Sequence, residues 1–422
     1  MKPAPIPARK EPELRESPQR WWLMGLLVTG MIVCYAHRGA LSPAAPFMIK
    51  ELHLSPAVMG ILLSAFFWTY SFMQVPAGWM VDRFGVKRSY ALGYALWSIA
   101  SAFTGFAGSL AGLIAVRMSV GVGQSVSFPA SAAAVSGSFQ DRERGTVTAA
   151  YLMGVRLGQA LATGVGGFFL AVYGFKVFFL VIGLVPLVWL LPWLLFLRKW
   201  ENVAATFRPP SSVLPQKRAT FLESLALMKQ RSVLGIFLGF FAYDYTWFVY
   251  VTWLPGYLVM ERKFSAREMG IYSSIPFIAM SVIILLAGFF SDWLVRRGRP
   301  ETSVRKSFIV FGLAIACLIV PAGIVPDKMA AVWLLTIALC GLGVASANTW
   351  TLTQAVCARN VVGTVSGIQN FGGNLGGVLA PALTGYIVHT TRSFSLAFSI
   401  TGGILVAGIL AYVLLITRRV EI

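Results

Sequence analysis

The stretch GWMVDRFGVKR, residues 78–88, places one aspartate and three basic residues between two long apolar runs. Its spacing Gly78-x-x-x-Asp82, followed by basic residues, recurs as Gly288-x-x-x-Asp292 ahead of VRRGR at 295–299. The two copies lie about half a chain apart. This indicates that the chain consists of two related halves.

A second pair of similar stretches supports the same division. GTVTAAYLMGVRLG at 145–158 aligns with GTVSGIQNFGGNLG at 363–376, sharing the Gly-Thr-Val start and three later positions. A polar stretch at 198–232 contains three prolines and separates the two halves. We therefore predict a disordered tail at 1–19, an N-terminal six-helix bundle at 20–197, a linker at 198–232, a C-terminal six-helix bundle at 233–417 and a short tail at 418–422.

The composition is that of a membrane protein. Only 12% of the 422 residues are charged and 57% are hydrophobic, whereas soluble domains contain about 25% charged residues. Twelve apolar runs approach the ~17–25 residues that a membrane-spanning helix needs. The sequence therefore predicts an all-α integral membrane protein with twelve spans. Numbered 1–12 from here on, they lie at 20–48, 57–79, 89–107, 110–138, 145–170, 177–197, 233–259, 266–294, 306–325, 329–357, 362–388 and 394–417.

Lysine and arginine are concentrated in the N-terminal tail and in the loops on the same side of the membrane. By the positive-inside rule, both termini and the linker are cytoplasmic. The net charge of +19 thus reflects topology and does not indicate nucleic-acid binding. The first 20 residues lack a short apolar core with a cleavage site, so we expect no signal peptide. We expect a multi-pass monomer in a bacterial inner membrane.

The stretch at 78–88 resembles the signature between spans 2 and 3 of the major facilitator superfamily. RMSVGVGQSVSFPA (117–130), WLPGYL (253–258) and the region 363–388 are similar to its anion:cation symporter family, which includes bacterial sugar-acid transporters and relatives of vesicular glutamate and sialic acid carriers. The resemblance covers nearly the whole chain after the tail. It implies the major facilitator fold, two pseudo-symmetric six-helix bundles. It also implies a gating role for Gly78, Asp82, Arg83, Gly85, Arg88 and Asp292.

Span 1 contains Tyr35-Ala36-His37-Arg38 where the family usually has Tyr-x-Asp-Arg. The resemblance implies that Arg38 binds a substrate carboxylate, which suits a planar guanidinium. Tyr35 is three residues away and shares its helical face. An arginine inside a span costs at least ~2.5–3.5 kcal/mol on insertion scales, so it needs a partner, water or a function. Neutralisation by carbonyls or a neighbouring acid is the alternative.

Span 4 contains Arg117 and, two turns later on the same face, Gln124. The resemblance places substrate contact here, and the family usually has a proton-exchanging glutamate in place of Gln124. A glutamine forms hydrogen bonds but does not carry a proton. Arg117 also belongs to a motif widespread in the superfamily, so a structural or coupling role is equally open.

The two acidic positions that usually couple transport to protons are thus altered to His37 and Gln124. Two ionisable groups are candidates to replace them. His37 titrates in the physiological range unless its surroundings shift it, and Asp244 lies in span 7, where relatives commonly have asparagine. We expect weak or absent coupling through the usual carboxylates, with His37 as the leading substitute and Asp244 second. A salt bridge between Asp244 and an arginine is the alternative.

Arg156 corresponds through the internal repeat to Asn374, whose family counterparts face the cavity. We therefore expect Arg156 to face it too. Three arginines and one aspartate would make the cavity electropositive and attractive to anions. Further candidates to contact substrate are Tyr70 and Gln74 of span 2, Trp350, Thr353 and Gln354 of span 10, and Asn370 and Asn374 of span 11. Hydrogen bonding between packed helices is the alternative for each of these.

These features predict secondary active or facilitative transport of a small organic anion, a sugar acid or another carboxylate, by alternating access. The sequence shows no nucleotide-binding loop, nucleophile–base pair or metal-ligand spacing, so we expect neither an enzyme nor a bound cofactor or metal. Two alternatives remain open. One is organophosphate:phosphate antiport, which an arginine in span 7 would have favoured; the other is a transporter-like sensor that binds ligand without moving it.

Overall fold

The computed structural model describes residues 18–139, 141–198, 227–358, 361–417 and 420. Within these ranges the chain is almost entirely helical, with no β-strand beyond one isolated bridge between Cys357 and Val420. The predicted tails and the linker at 198–232 lie largely outside the described residues, so they remain predictions.

The described N-terminal half forms spans 1–6. Its helices are α1 (Arg20–Gly39), α2 (Leu41–Glu51), α3 (Pro56–Phe84), α4 (Val86–Phe103), α5 (Leu110–Gln124), α6 (Ser127–Ser138), α7 (Asp141–Leu184) and α8 (Leu190–Arg198), with a 3-10 turn at Val185–Trp189 between the last two. Span 1 consists of α1 and α2, span 2 of α3, span 3 of α4, and span 4 of α5 and α6. The remaining helices form spans 5 and 6.

The described C-terminal half forms spans 7–12. Its helices are α9 (Arg231–Met260), α10 (Ala266–Arg296), α11 (Glu301–Ala316), α12 (Ile319–Ile324), α13 (Lys328–Val356), α14 (Val362–Thr391) and α15 (Ser395–Leu410), which continues as a π turn at Ala411–Leu415. Spans 7 and 8 are α9 and α10, and span 9 is α11 with α12. Spans 10, 11 and 12 are α13, α14 and α15.

Ten helical stretches of the described chain are long and apolar enough to cross a membrane. One of them, Ala150–Phe196, contains two spans. These are separated at Gly174, whose φ of 73° and ψ of 173° are not helical and are easily adopted only by glycine. The more polar α4 supplies the twelfth span, so the structure confirms the predicted twelve-helix architecture.

Two prolines shape span 1 near its centre. Pro43 and Pro46 have no backbone N–H, so the carbonyls of Gly39 and Ser42 receive no helical hydrogen bond from them. The helical hydrogen-bond pattern is interrupted at Ala40, two residues after the predicted substrate arginine, while the backbone there keeps helical angles of φ −60° and ψ −32°. Two residues further along, the Ser42 hydroxyl donates to the carbonyl of Thr252 in span 7 at 2.8 Å, which connects the two bundles.

The two bundles pack closely at what we call the distal end, where span 1 ends and span 2 begins. A Cβ added to Gly60 of span 2 would lie 2.5 Å from the carbonyl oxygen of Pro381 in span 11. A Cβ added to Gly167 of span 5 would lie 2.5 Å from the Cα of Gly270 in span 8. Because both obstacles are backbone atoms, these two crossings depend on glycine. They close the distal end between the bundles.

Candidate functional site

Arg38 lies at the end of α1 and is buried among aromatic rings. Its Cζ is 4.4 Å from the ring centroid of Tyr35, 4.6 Å from that of Phe66 and 4.4 Å from that of Tyr70. The rings of Phe66 and Tyr70 stack on each other with centroids 5.0 Å apart. Each desolvated cation–π contact contributes up to about 2 kcal/mol. The cage holds the guanidinium in place without neutralising its charge.

The polar contacts of Arg38 leave part of the guanidinium free. Its Nε donates to Oε1 of Gln124 and its Nη1 to the hydroxyl of Tyr35, both at 3.1 Å. The Gln124 amide is oriented by its own donation from Nε2 to the carbonyl of Cys34 at 2.8 Å. Nη2 of Arg38 is buried and has no hydrogen-bond partner among the described residues. A buried donor in this state favours an anionic ligand.

Arg117 is the second buried arginine of this site. Its Cζ is 5.7 Å from the ring centroid of Phe66, the ring that also contacts Arg38. The two guanidinium groups are close enough to repel each other, and Nε of Arg117 is buried without a partner among the described residues. Within the described chain, no carboxylate oxygen lies within 4.0 Å of either arginine. The structure thus brings Arg38, Arg117 and Gln124 together.

Arg156 extends from span 5 toward the other bundle. Its Cζ is 4.2 Å from the ring centroid of Trp247 in span 7, and its charge acts on the carboxylate of Asp244 in the same span. Asp244 packs against Gly373 of span 11 so closely that a Cβ there would collide with its Oδ2. Arg156 and Asp244 are both half-buried. They face each other across the interface between the bundles.

His37 faces the inside of the N-terminal bundle. Its Nε2 makes a short hydrogen bond with the carbonyl of Ile182 in span 6, and its Nδ1 is buried without a partner among the described residues. The side chain is only 1% exposed. This placement separates it from the aromatic cage around Arg38, although the two residues are adjacent in sequence.

The polar candidates of the C-terminal bundle are more dispersed. Thr353 of span 10 is buried and donates to Oε1 of Gln369 in span 11 at 2.6 Å. Trp350 packs edge-on against Phe240 with centroids 5.2 Å apart. Gln354 and Asn370 are exposed and Asn374 is half-buried, as is the further candidate Gln74 in span 2 of the N-terminal bundle. In the described structure, no hydrogen bond joins any of these candidates to Arg38 or Arg117.

The repeated loop motif is best defined in the C-terminal bundle. Arg305 of span 9 is buried and its Nη2 donates to Oδ1 of Asp292 at 2.6 Å. Its Nη1 donates to the hydroxyl of Ser291 and to Oδ1 of Asn348 in span 10, and Glu301 lies 3.6 Å away. Asp292 therefore joins spans 8, 9 and 10 through one arginine.

The N-terminal copy of this motif lies at a tight turn. Gly85, with φ of 82°, is the single residue between α3 and α4, and this left-handed backbone favours glycine. Arg83 lies over the ring of a tryptophan one turn earlier at 5.7 Å, and Arg88 is exposed. Gly78 has open space around it. The side chain of Asp82 is outside the described part of the structure.

Several residues of the site were not identified from the sequence. Phe66 contacts both buried arginines, and its sequence context does not distinguish it from a packing aromatic. Gln369 is fully buried with a free Nε2 in the described structure, and Gln159 is fully buried with both amide atoms free there. Gln159 fills the position that a Cβ on Gly39 would take. An amide inside an apolar span was the available signal for both glutamines.

The described residues contain no group of three or more histidine, cysteine or acidic side chains that could hold a metal ion. The chemistry that they do provide is electrostatic. Two buried guanidinium groups with free N–H donors can bind an anion, and two helical bundles in contact at one end can change their relative position. A chain with this fold and site belongs to the class of membrane transporters that move small solutes by secondary transport.

Comparison with known proteins agrees with this class. The model of the Major Facilitator Superfamily matches residues 27–381, and the chain belongs to this family. It is 29% identical to the D-galactonate transporter of Escherichia coli O6:H1 (strain CFT073) over 94% of this chain and 96% of that protein. It is also 29% identical to the "Probable galactarate/D-glucarate transporter GarP" of Escherichia coli (strain K12), over 96% of both chains.

The fold is shared with a solved structure. A bacterial homologue of the human lysosomal transporter Spinster, in an inward-facing and occupied conformation, matches with a TM-score of 0.75. The match covers 94% of this chain and 97% of the other at 19% sequence identity. At this identity the likeness shows the fold alone.

Proposed function

We propose that this chain transports a small organic anion, a sugar acid or a related carboxylate, across a bacterial inner membrane by alternating access. The observation that carries the proposal is the pair Arg38 and Arg117. Both are buried, both have a free N–H donor, and neither has a carboxylate within 4.0 Å in the described structure. Relatives of equal similarity are named for sugar acids.

Charged hydrogen bonds explain how this site would select its ligand. A carboxylate at Nη2 of Arg38 would form a charge-assisted hydrogen bond, which is roughly twice as strong as a neutral one. It would also offset the cost of holding a guanidinium inside the membrane. The amide and hydroxyl groups of Gln124 and Tyr35 are near enough to Arg38 to recognise hydroxyl groups of the same ligand.

The packing between the bundles supports a conformation that is closed toward the outside of the membrane. With both termini cytoplasmic, as the distribution of lysine and arginine predicts, the distal end faces the outside. The contacts of Gly60 with Pro381 and of Gly167 with Gly270 then form the outer gate in its closed position. Separation of these contacts, together with closure around the loop motifs, would expose the arginine pair to the outside. The working unit is a monomer.

Coupling to protons does not use the carboxylates that serve related transporters. Of the two remaining ionisable groups, His37 packs against Ile182 within one bundle, whereas Asp244 lies beside Arg156 at the interface that moves. The placement therefore supports Asp244 over His37 as the group that couples transport to protons. The sequence alone ranked the two in the opposite order.

The experiment is uptake of labelled galactonate and galactarate by proteoliposomes containing the purified protein, preceded by a thermal-shift screen with sugar acids, monocarboxylates, amino acids and phosphates. We expect stabilisation by sugar acids and time-dependent uptake that Arg38→Ala abolishes. Stabilisation without flux would identify a sensor. If phosphate compounds stabilise the protein preferentially and the proteoliposomes exchange phosphate, the protein is an organophosphate:phosphate antiporter.

A further inference from the structure

The fixed charges of the site do not balance. The described residues place three arginines and one aspartate there, and the aspartate, Asp244, lies across the bundle interface beside Arg156. Arg156 and Asp244 carry opposite charges and interact across this interface, and no ion pair within 4.0 Å joins them among the described residues. The remaining arginines, Arg38 and Arg117, meet at the ring of Phe66, and the aromatic contacts do not change their charge. The site thus has an excess of two positive charges.

Each of the two excess charges has its own free donor. On Arg38 the buried group without a partner is Nη2, and on Arg117 it is Nε. One acidic group can satisfy one of these donors and offset one charge. The other arginine would then keep a free donor and an uncompensated charge, and leaving a buried charge unpaired is strongly unfavourable.

Gln124 determines that this excess is two and not one. Its Oε1 accepts a hydrogen bond from Nε of Arg38 at 3.1 Å while its Nε2 is used by the carbonyl of Cys34. A carboxylate in the same position would form an ion pair with Arg38. The neutral amide forms the same hydrogen bond and contributes no negative charge.

We infer that the substrate is a dianion, a small molecule with one carboxylate and a second carboxylate or sulfonate. This inference rests on the proposed transport of an organic anion and specifies its charge. One acidic group binds at Nη2 of Arg38 and the other at Nε of Arg117. A sugar acid with a single carboxylate satisfies half of the site. The chain is 29% identical both to a relative named for galactonate, a mono-acid, and to one named for galactarate and D-glucarate, which are di-acids. The inference therefore rests on the site itself.

Galactonate and galactarate test this inference, because they have the same carbon chain and differ at one end, where galactarate has a second carboxylate. Binding of each to the purified wild-type protein is measured by calorimetry at pH 7, with sodium chloride added so that the ionic strength is the same in both titrations. We expect galactarate to bind at least about tenfold more tightly. Equal affinity, or tighter binding of galactonate, would overturn the inference.

A charge variant provides the converse measurement. Gln124→Glu adds a carboxylate beside Arg38, so galactarate should lose most of its advantage and galactonate should gain affinity. Gln19→Glu adds the same charge at an exposed position before α1 and should leave the ratio of affinities unchanged. A ratio that Gln124→Glu does not alter would show that this position does not set the charge preference.

The outcomes separate the two proposals. If galactonate is bound and transported but galactarate is not, organic-anion transport stands and the dianion inference fails. If neither acid binds and inorganic phosphate does, both fail. Because the wild-type comparison needs no variant, poor folding of Gln124→Glu would not prevent a decision.

Discussion

The guanidinium of Arg156 lies over the ring of Trp247 with 4.2 Å between Cζ and the ring centroid. Arg156 belongs to span 5 of the N-terminal bundle and Trp247 to span 7 of the C-terminal bundle. The contact therefore spans the interface across which the two bundles move. Because Asp244 lies one turn before Trp247, the same arginine interacts with a ring and a carboxylate of the opposite bundle.

We predict that Arg156→Lys slows transport several-fold, because a lysine keeps the charge near Asp244 but loses the planar stacking on Trp247. The measurement is the initial rate of sugar-acid uptake into proteoliposomes. Arg297→Lys is the matched control, since Arg297 lies over Trp293 at 3.9 Å at the exposed end of span 8 and joins no bundles. Equal effects of the two substitutions would contradict a specific role of the interface contact.

Arg38→Lys should weaken substrate binding by at least about tenfold. Lysine retains the charge but replaces the planar group that donates to Gln124 and Tyr35 and stacks on three rings, so it loses both orientation and the two-point contact with a carboxylate. Calorimetry on purified protein measures the change, with the exposed Arg299→Lys as control. Unchanged affinity in Arg38→Ala would remove Arg38 from the site.

The architecture was predictable because it depends on patterns that the sequence displays directly. Apolar runs of spanning length give the helices, and the two repeats give the division into bundles. The placement of Arg117 and Gln124 on one helical face was also predictable, since seven residues are about two turns of one helix. The structure adds that this face meets Arg38, through the hydrogen bond from Arg38 to Gln124.

The direction of individual side chains was less predictable. A helix that is apolar on all sides has no pattern that shows which face points inward. For this reason the sequence did not show that His37 packs against Ile182 while Arg38 points into the cage. It also did not identify Arg305 as the partner of Asp292, because the arginine lies on the next span and basic residues closer in sequence were equally plausible.

Gly167→Ala should hold the distal end open. The added Cβ would lie 2.5 Å from Cα and 2.9 Å from N of Gly270, and backbone atoms cannot rotate away as a side chain can. We expect slower transport. We also introduce Thr252→Cys, which places a thiol at the buried bundle interface, and expect Gly167→Ala to speed its labelling by an impermeant maleimide, measured by mass spectrometry. Gly403→Ala is the control, because no atom lies within 4 Å of its added Cβ. Slower labelling in Gly167→Ala would contradict a closed gate at this crossing.

Asp82 and Asp292 should govern the rate of transport more than the affinity for substrate. Asp292 joins spans 8, 9 and 10 through Arg305. The repeat assigns Asp82 the same role in the N-terminal bundle, and the family resemblance adds Arg83. Asp292→Asn keeps the size but weakens the ion pair, so the initial rate should change several-fold while the dissociation constant stays within about twofold. We expect the same of Asp82→Asn. A large loss of substrate affinity with a normal transport rate would show that these residues act in substrate binding and not in gating.

The last prediction concerns coupling. A proton symporter needs a group that binds a proton in one state and releases it in another, in a way that depends on substrate. Gln124 does not titrate, which leaves His37 and Asp244. Movement of the two bundles during transport would change the distance between Arg156 of one bundle and Asp244 of the other, and a carboxylate that loses a cationic neighbour binds a proton more readily. His37, hydrogen-bonded to Ile182 within one bundle, has no comparable contact at the interface.

We therefore predict that coupling is weak and that its measurable part depends on Asp244. Uptake into liposomes is compared with and without an inward proton gradient, for the wild type, Asp244→Asn and His37→Gln. The gradient should increase wild-type accumulation modestly, Asp244→Asn should remove this increase, and His37→Gln should retain it. Loss of the increase in His37→Gln alone would return the role to span 1. An increase that survives both substitutions would exclude both groups, and transport would then be coupled elsewhere. If the gradient has no effect on the wild type, the substrate moves by uniport or exchange, and Asp244 serves only as the counter-charge of Arg156.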